Sequence, residues 1–283
     1  MPRRLSLGLA ALILAASACV PPVPDNDEVV DFDPVLTGMG RVQEEGVLRI
    51  GIPKDAGPFA TGSGDEAQGF TVELGKEVAD SLGVDVDFRS GTDEELGALV
   101  DSGAIDLAFP LRPITEQAIT KNAFTDPYWI SRERVLSFDG GVEEVADLAG
   151  KRVCQSIDDI TGIPVERLQP DASEVTEVAD LAGCPEVDAM VAPDIRLLAQ
   201  MEPGESLPAL VGEEINAVGY GAMTALEDKL FADYVSTQFS EAKAEGRWSA
   251  WFGDFISPVT GEAPPDPPGM HLEEAAALYP LDE

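Results

Sequence analysis

Apolar and polar positions along this chain switch between two periods. VLRIGI at residues 47–52 reads as a buried strand. Phe70, Leu74, Val78 and Leu82 then recur every fourth residue, which puts them on one face of a helix. VDVDF (84–88) reads as a strand, DEELGALVDSG (93–103) as a short helix closed by Gly103, and IDLAF (105–109) as the next strand. A second set follows, with KRVCQS (151–156) as strand, a helix starting near Thr161, and VDAMVA (187–192) as strand. After residue 226 a long helix carries Leu230, Tyr234 and a Phe231, Val235, Phe239, Ala242 stripe suited to core packing. Strand and helix in alternation predict a parallel sheet with right-handed crossovers, and two such sets predict two α/β lobes. The chain shows no internal repeat.

The ends read differently. Residues 20–40 (VPPVPDNDEVVDFDPVLTGMG) are rich in proline and acid without a sustained period, as in a tether. GEAPPDPPGMHLEEAAALYPLDE has the same character and is expected outside the core, although LEEAAALY suits a helical turn or two. At the start, Arg3 and Arg4 precede an apolar run from Leu5 to about Ala16. That run falls short of the roughly 20 residues a spanning helix needs and fits a secretory leader. Ala16-Ser17-Ala18-Cys19 resembles a lipoprotein lipobox, with Ala16 in the usual leucine position. Diacylation at Cys19 would anchor the protein stably at a membrane. Cleavage at an A-x-A-like site, which releases a soluble protein, is the alternative.

Charge narrows the partners. The 283 residues carry 18 Lys and Arg against 53 Asp and Glu, a net charge of −35. Such a field repels nucleic acid and anionic lipid. It reads as a solvated surface, and attraction of cationic ligands does not follow from net charge alone. In an exported chain, Cys154 and Cys184 read as a disulfide, with two buried thiols as the alternative. A metal centre has little support, since His271 is the one histidine.

Several stretches, in order, resemble the bacterial extracellular solute-binding proteins of family 3, the polar amino-acid receptors of ABC importers. GVLRIGI is similar to their opening strand and GPF (57–59) to the loop after it. GFTVELGKEVADSLGV resembles the family's GFDVDLAKAIAKRLGV, SGAIDLAF precedes ITE, and FTDPYW follows. LAGKRV resembles the opening of the second lobe, CPEVDAMVA its GxVDAVVA strand, and AEGRWSAWFGDF its closing helix. The Cys154 to Cys184 spacing resembles the disulfide of actinobacterial glutamate-type binding lipoproteins, as does the VLTGMGRVQEEGVLRIGI entry. The resemblance covers roughly residues 38–256. It implies a type II periplasmic-binding fold, two α/β lobes joined by two hinge segments. Lobe one would comprise 40–131 and 220–260, lobe two 132–219, after a signal peptide (1–18) and a lipidated tether (19–39) and before an acidic tail (261–283).

The resemblance also shows where the ligand grip departs from the family. Relatives that take α-amino acids hold the carboxylate with an Arg three residues after the Thr of their ITE/ITP motif; three places after Thr115 stands Ala118. They also use a backbone N–H just before that Ile, where Pro113 has none. An anion-binding GTT-like loop at a helix start is here IDDIT, so Asp158, Asp159 and Thr161 fall in its place. The two aspartates serve equally as helix N-caps. Ala56 and Asp93 replace aromatics, and the ammonium-pairing Asp falls at Pro193, one residue before Asp194. Arg112 is either a substitute cation or a surface residue paired to a neighbouring acid. The implied cleft residues are Asp55, Phe59, Asp93, Leu111, Arg112, Thr115, Asp158, Asp159, Thr161 and Asp194. A buried carboxylate without a cation is costly, so the expected cargo is a neutral or cationic polar solute.

Three functions compete: a monomeric receptor handing solute to an ABC permease, a sensory or partner-docking lipoprotein with a degenerate cleft, and an enzyme. The last is disfavoured, because the chain has no G-x-S-x-G elbow, no complete G-x-G-x-x-G and no metal-ligand cluster. No cofactor and no nucleic acid are expected.

Overall fold

The computed structural model describes residues 38–138, 141–156, 172, 174–178, 181–201 and 209–278. Two five-stranded sheets organise them. The first has the order β2-β1-β3-β10-β4, built from β1 (Val47–Pro53), β2 (Asp85–Gly91), β3 (Leu107–Ala108), β4 (Asn122–Phe124) and β10 (Met223–Ala225). The second has the order β7-β6-β8-β5-β9, from β5 (Trp129–Ser137), β6 (Arg152–Ser156), β7 (Glu174–Val178), β8 (Ala189–Pro193) and β9 (Ala209–Tyr220). In each sheet the three strands linked by crossovers are parallel, as the alternating pattern predicts. The remaining two in each sheet join by antiparallel pairing, beside the points where the chain leaves one lobe for the other.

Periodic segments fold as their pattern predicts. Phe70, Leu74, Val78 and Leu82 line the inner face of helix Phe70–Leu82 and are all buried, each contributing roughly 1.5–3 kcal/mol as an upper estimate. Gly83 ends that helix in the left-handed conformation, a position that suits glycine. Helix Asp93–Asp101 starts at Thr92 with a full capping box to Glu95. Along helix Lys229–Ala244 the Phe231, Val235, Phe239, Ala242 stripe is buried, whereas Leu230 is 63% exposed and lies off that stripe. IDLAF yields only the two-residue β3. The helix expected near Thr161 lies outside the described residues. Cys154 and Cys184 are joined, closing a 30-residue separation that loop entropy values at about 3–4 kcal/mol.

Residues 125–128 and 221–222 carry the chain between lobes. Thr125 N–H donates to the Ala222 carbonyl and Ala222 N–H to Thr125 Oγ1, both at 2.9 Å, and Tyr128 N–H donates to Tyr220 O at 2.9 Å. Trp129, which opens β5, stacks on Phe252 at 5.6 Å and 7°, and meets Phe59 and Phe70 edge-on at 5.1 and 5.7 Å. This knot of rings fixes the second sheet's first residue against the first lobe.

The C-terminal segment does not lie outside the core. From Gly261 it runs as a strap across the crossings into helix Leu272–Ala277. Glu262 pairs with Arg134 of β5 at 3.4 Å, and Leu272 N–H donates to Asp126 Oδ1 at 2.8 Å. Ala275 and Ala276 are buried beside Ile114, Phe124 and Met223. The seat requires Gly219, where a Cβ would stand 2.7 Å from that of Ala275. Proline and acid in this stretch masked two small residues able to pack flush. Between the strap and Trp129, Ile130, Arg132, Ala217 and Trp248 lies a cavity of about 310 Å³.

The lobes also touch directly. Gly57, in the loop after β1, has φ +52, and a Cβ there would lie 2.8 Å from Met201 O and 2.9 Å from Leu198 O in the other lobe. Gly57→Ala is therefore expected to hold the lobes apart and enlarge the radius of gyration in X-ray scattering. Gly103→Ala, at φ +69 with nothing within 4 Å, incurs only the backbone strain and should leave the profile unchanged. Equal profiles for both variants and wild type would refute the contact.

His271 Nδ1 lies 3.0 Å from Asp126 Oδ2, and that bond and charge raise the imidazole pKa, with Glu274 and Glu273 adding to the effect. A folded-state pKa above the unfolded one means the stabilisation is complete below about pH 6.5 and disappears as pH rises through the folded value. His271→Asn should thus lower the urea midpoint at pH 5.5 and converge on wild type in alkaline buffer. A constant difference across that range would show that the pair contributes nothing.

Candidate functional site

The carboxyl ends of the parallel strands in both lobes face each other, the usual ligand position in open α/β sheets. From the first lobe come the loop after β1, the start of helix Asp93–Asp101 and the loop 109–115. From the second come Ser156 at the end of β6 and the helix Asp194–Leu198 after β8.

Arg196 spans the gap. It is half-buried, and its Nη1 donates to Ser156 Oγ in its own lobe while Nη2 donates to Leu111 O in the other, each at 3.4 Å. Leu111 N–H in turn donates to Asp93 Oδ1 at 2.8 Å. One residue thus carries a carboxylate at its amide and a guanidinium at its carbonyl. Opposite charges from opposite lobes meet there.

Asp194 sets the helix that carries Arg196. Its carboxylate accepts from the Trp129 indole at 3.1 Å, from the Ser131 hydroxyl at 2.7 Å and from the Arg132 backbone N–H. Burial of the carboxyl group pushes its pKa up, and these donors oppose the shift. Ile195 N–H donates to the same Ser131 oxygen at 3.2 Å, so the first turn is pinned twice to β5.

The residues expected at the cleft divide into groups. Asp93, Leu111 and Asp194 come together around Arg196. Asp55 is exposed and, among the described residues, is the non-glycine residue with positive φ, at 50°, a conformation aspartate tolerates better than most. Phe59 is fully buried in the aromatic knot and offers its ring to Trp129 and Phe70 instead of a solute. Thr115 is 4% exposed and caps helix Glu116–Ile119 by accepting from Ala118 N–H at 3.0 Å. Arg112 is exposed and has no ion pair among the described residues. Asp158, Asp159, Thr161 and Cys19 lie outside the described residues.

Arg196 was missed from sequence. The expected guanidinium belongs on the first lobe three residues after Thr115, and nothing in the motif directs attention to PDIRLL. Its one signal was position, just past the carboxyl end of a parallel strand. Tyr128 was also passed over as part of FTDPYW. Its hydroxyl is fully buried without a hydrogen-bond partner among the described residues, and desolvation first, then the Asp93 charge, raises its pKa far above the usual phenol value.

A guanidinium thus stands between the lobes at Arg196, apart from the substitute cation expected at Arg112. The arrangement has the means to bind a zwitterion or an organic cation. His271 is on the strap, bonded to Asp126, and not in the cleft.

The chain is similar to several known proteins. The L-cystine-binding protein TcyJ of Escherichia coli (strain K12) is 23% identical over 76% of this chain and 86% of its own length. The arginine-binding extracellular protein ArtP of Bacillus subtilis is 23% identical over 70% of this chain and 82% of its own. Among solved structures, a mutant of the arginine-binding protein ArgBP from T. maritima aligns with a TM-score of 0.60 and 23% identity, covering 78% of this chain and 100% of that one. An ancestral cationic amino-acid solute-binding protein gives 0.63 and 21%, covering 77% and 99%. These neighbours establish the type II periplasmic-binding fold with its two hinged α/β lobes. The model of one family matches residues 48–256, most of the chain, and so this protein belongs to the bacterial extracellular solute-binding proteins, family 3.

Proposed function

We propose that this chain is the extracytoplasmic receptor of an ABC importer, held at the membrane by lipid on Cys19, that delivers a small amino-acid-like solute, neutral or cationic, to a permease. The observation that carries the reading is the meeting of Asp93 and Arg196 at the two ends of Leu111. A zwitterion bound there sets its ammonium toward Asp93 and leaves its acid away from that carboxylate. An acidic side chain would add a second negative charge beside Asp93 and within a chain of net charge −35, which disfavours glutamate and aspartate. The relatives named for cystine and arginine binding support a polar amino-acid-like cargo. Catalysis is not part of this reading: the single histidine, on the strap, is bonded to Asp126, and the reading uses Asp93 and Arg196 only to hold a charged solute.

Cys19→Ser should move the exported protein from the membrane fraction to the medium or periplasmic extract. If the variant and wild type partition alike, the lipid anchor is refuted. With the lipid removed in this way, isothermal titration should give saturable binding of arginine or cystine well ahead of glutamate. X-ray scattering should report a change in compactness when solute is added. Tight glutamate binding would reverse the charge preference, and no response to any polar amino acid would favour the sensory or docking lipoprotein instead.

A further inference from the structure

We propose that the strap is a stop that limits how far the lobes open, with the cavity beneath it as the clearance. The inference goes beyond the receptor reading and does not depend on which solute the cleft takes. Both ends of the strap are fastened. It leaves helix Ser257–Thr260, whose Val259 is buried in the core, and finishes in helix Leu272–Ala277, whose Ala275 and Ala276 pack beside Ile114, Phe124 and Met223 of the first lobe. Leu272 N–H and the His271 ring tie the start of that last helix to Asp126 at the crossing. Between these ends the chain passes over the second lobe. Glu262 meets Arg134 of β5 at 3.4 Å, with the acid open to solvent, a kind of pair that holds only weakly. Residues 265–270 then stand off from Ile130, Arg132 and Ala217 of β5 and β9 and from Trp248 of the first lobe, leaving about 310 Å³ between them. Close packing leaves few voids larger than a water molecule, and a space of this size gives one wall room to move.

The direction of the stop follows from β5. Ser131 turns to Asp194 and its helix Asp194–Leu198, and its neighbours Ile130 and Arg132 turn the other way, to the cavity. That helix ends at Leu198, and a Cβ on Gly57 of the first lobe would lie 2.9 Å from the Leu198 carbonyl oxygen. Lobes joined by crossing segments open by rotation at the hinge. Rotation that withdraws Leu198 from Gly57 carries the opposite face of β5 toward the strap. The clearance is then used up, and Ile130 and Arg132 come to rest on residues 265–270. A stop has to be stiff. Four of the five residues 264–268 are proline, and proline-rich segments behave as semi-rigid spacers. Fastened at both ends and stiff between them, the strap resists being pushed outward.

The test measures lobe separation in the solute-free mature chain by double electron–electron resonance. Spin labels go on Asp80→Cys in the first lobe and Ala149→Cys in the second, both exposed, in a Cys19→Ser background whose other cysteines form the disulfide. One variant lengthens the strap by Gly-Ser-Gly-Ser after Gly269, where a Cβ would meet nothing within 4 Å. Four residues add at most about 13 Å of reach, and the upper edge of the distance distribution should move outward by about 3 Å or more. The second variant, Ala217→Leu, fills the clearance with a larger apolar side chain and should move the same edge inward. The same four residues inserted after Gly103, another open position, should leave the distribution unchanged. A matching thermal melt establishes that each variant is folded. If the lengthened chain fails that check, a strap softened by Pro265→Ser and Pro268→Ser takes its place, with the same outward shift expected. The stop is overturned if either strap variant leaves the upper edge where it stands in wild type, if the shifts run the other way, or if the insertion after Gly103 reproduces them. None of these outcomes bears on solute binding, so the receptor reading is tested separately by titration.

Discussion

Hydrogen bonds between the two chain crossings are the constraint on which the rest of the molecule depends. Thr125 with Ala222, and Tyr128 with Tyr220, tie the outgoing and returning segments into one narrow ribbon. The outward-facing groups of that ribbon are also engaged. Asp126 N–H donates to Ser236 Oγ, the Pro127 carbonyl accepts from Lys243 Nζ at 2.8 Å, and the Tyr128 carbonyl accepts from the Trp248 indole at 2.9 Å. Burial lowers the Lys243 pKa to about 8, with the Asp126 charge opposing the shift, so the ammonium is retained near neutrality only at some desolvation cost. With so many of its polar groups committed, the ribbon is a closely bonded joint between the lobes.

That joint gives the cleft its chemistry. It brings the loops after the strands of one lobe against those of the other, and the side chains that meet there belong to the first residues after each strand. Asp93 and Arg196 are such residues. Their charges converge on Leu111 from different lobes. The position three residues after Thr115 holds Ala118, while Arg196 stands on the second lobe and reaches Leu111 on the first.

Much of the fold was legible because its longer elements bury a single continuous face. Helix Phe70–Leu82 and the Phe231 to Ala242 stripe advertise themselves at a period near four, and β1 is an unbroken strand with Leu48, Ile50 and Ile52 fully buried. Elements shorter than their pattern were less legible: β3 keeps two residues of IDLAF because its ladders to β1 and β10 are that short. β9, at ALVGEEINAVGY, carries charged and glycine positions that conceal a twelve-residue strand. The site was legible mainly in what it lacks. Ala118 and Pro113 announce the missing grip from sequence alone, but the compensating guanidinium lies in another lobe, about 80 residues away in the chain, and only folding brings it to Leu111. Phe59 is turned into rings and Thr115 into a helix cap, orientations that a motif position does not encode.

The strap alters the order in which such a molecule becomes complete. Asp126 receives the Leu272 amide 146 residues further along the chain. In a polypeptide made from its amino end, the residues of both lobes precede that partner, and the small patch at Gly219 is covered by Ala275 only once the strap has docked. Docking of the strap is thus a contact of high sequence separation, of the kind that slows folding. The far end of the chain braces a joint whose own bonds lie between residues 125–128 and 220–222.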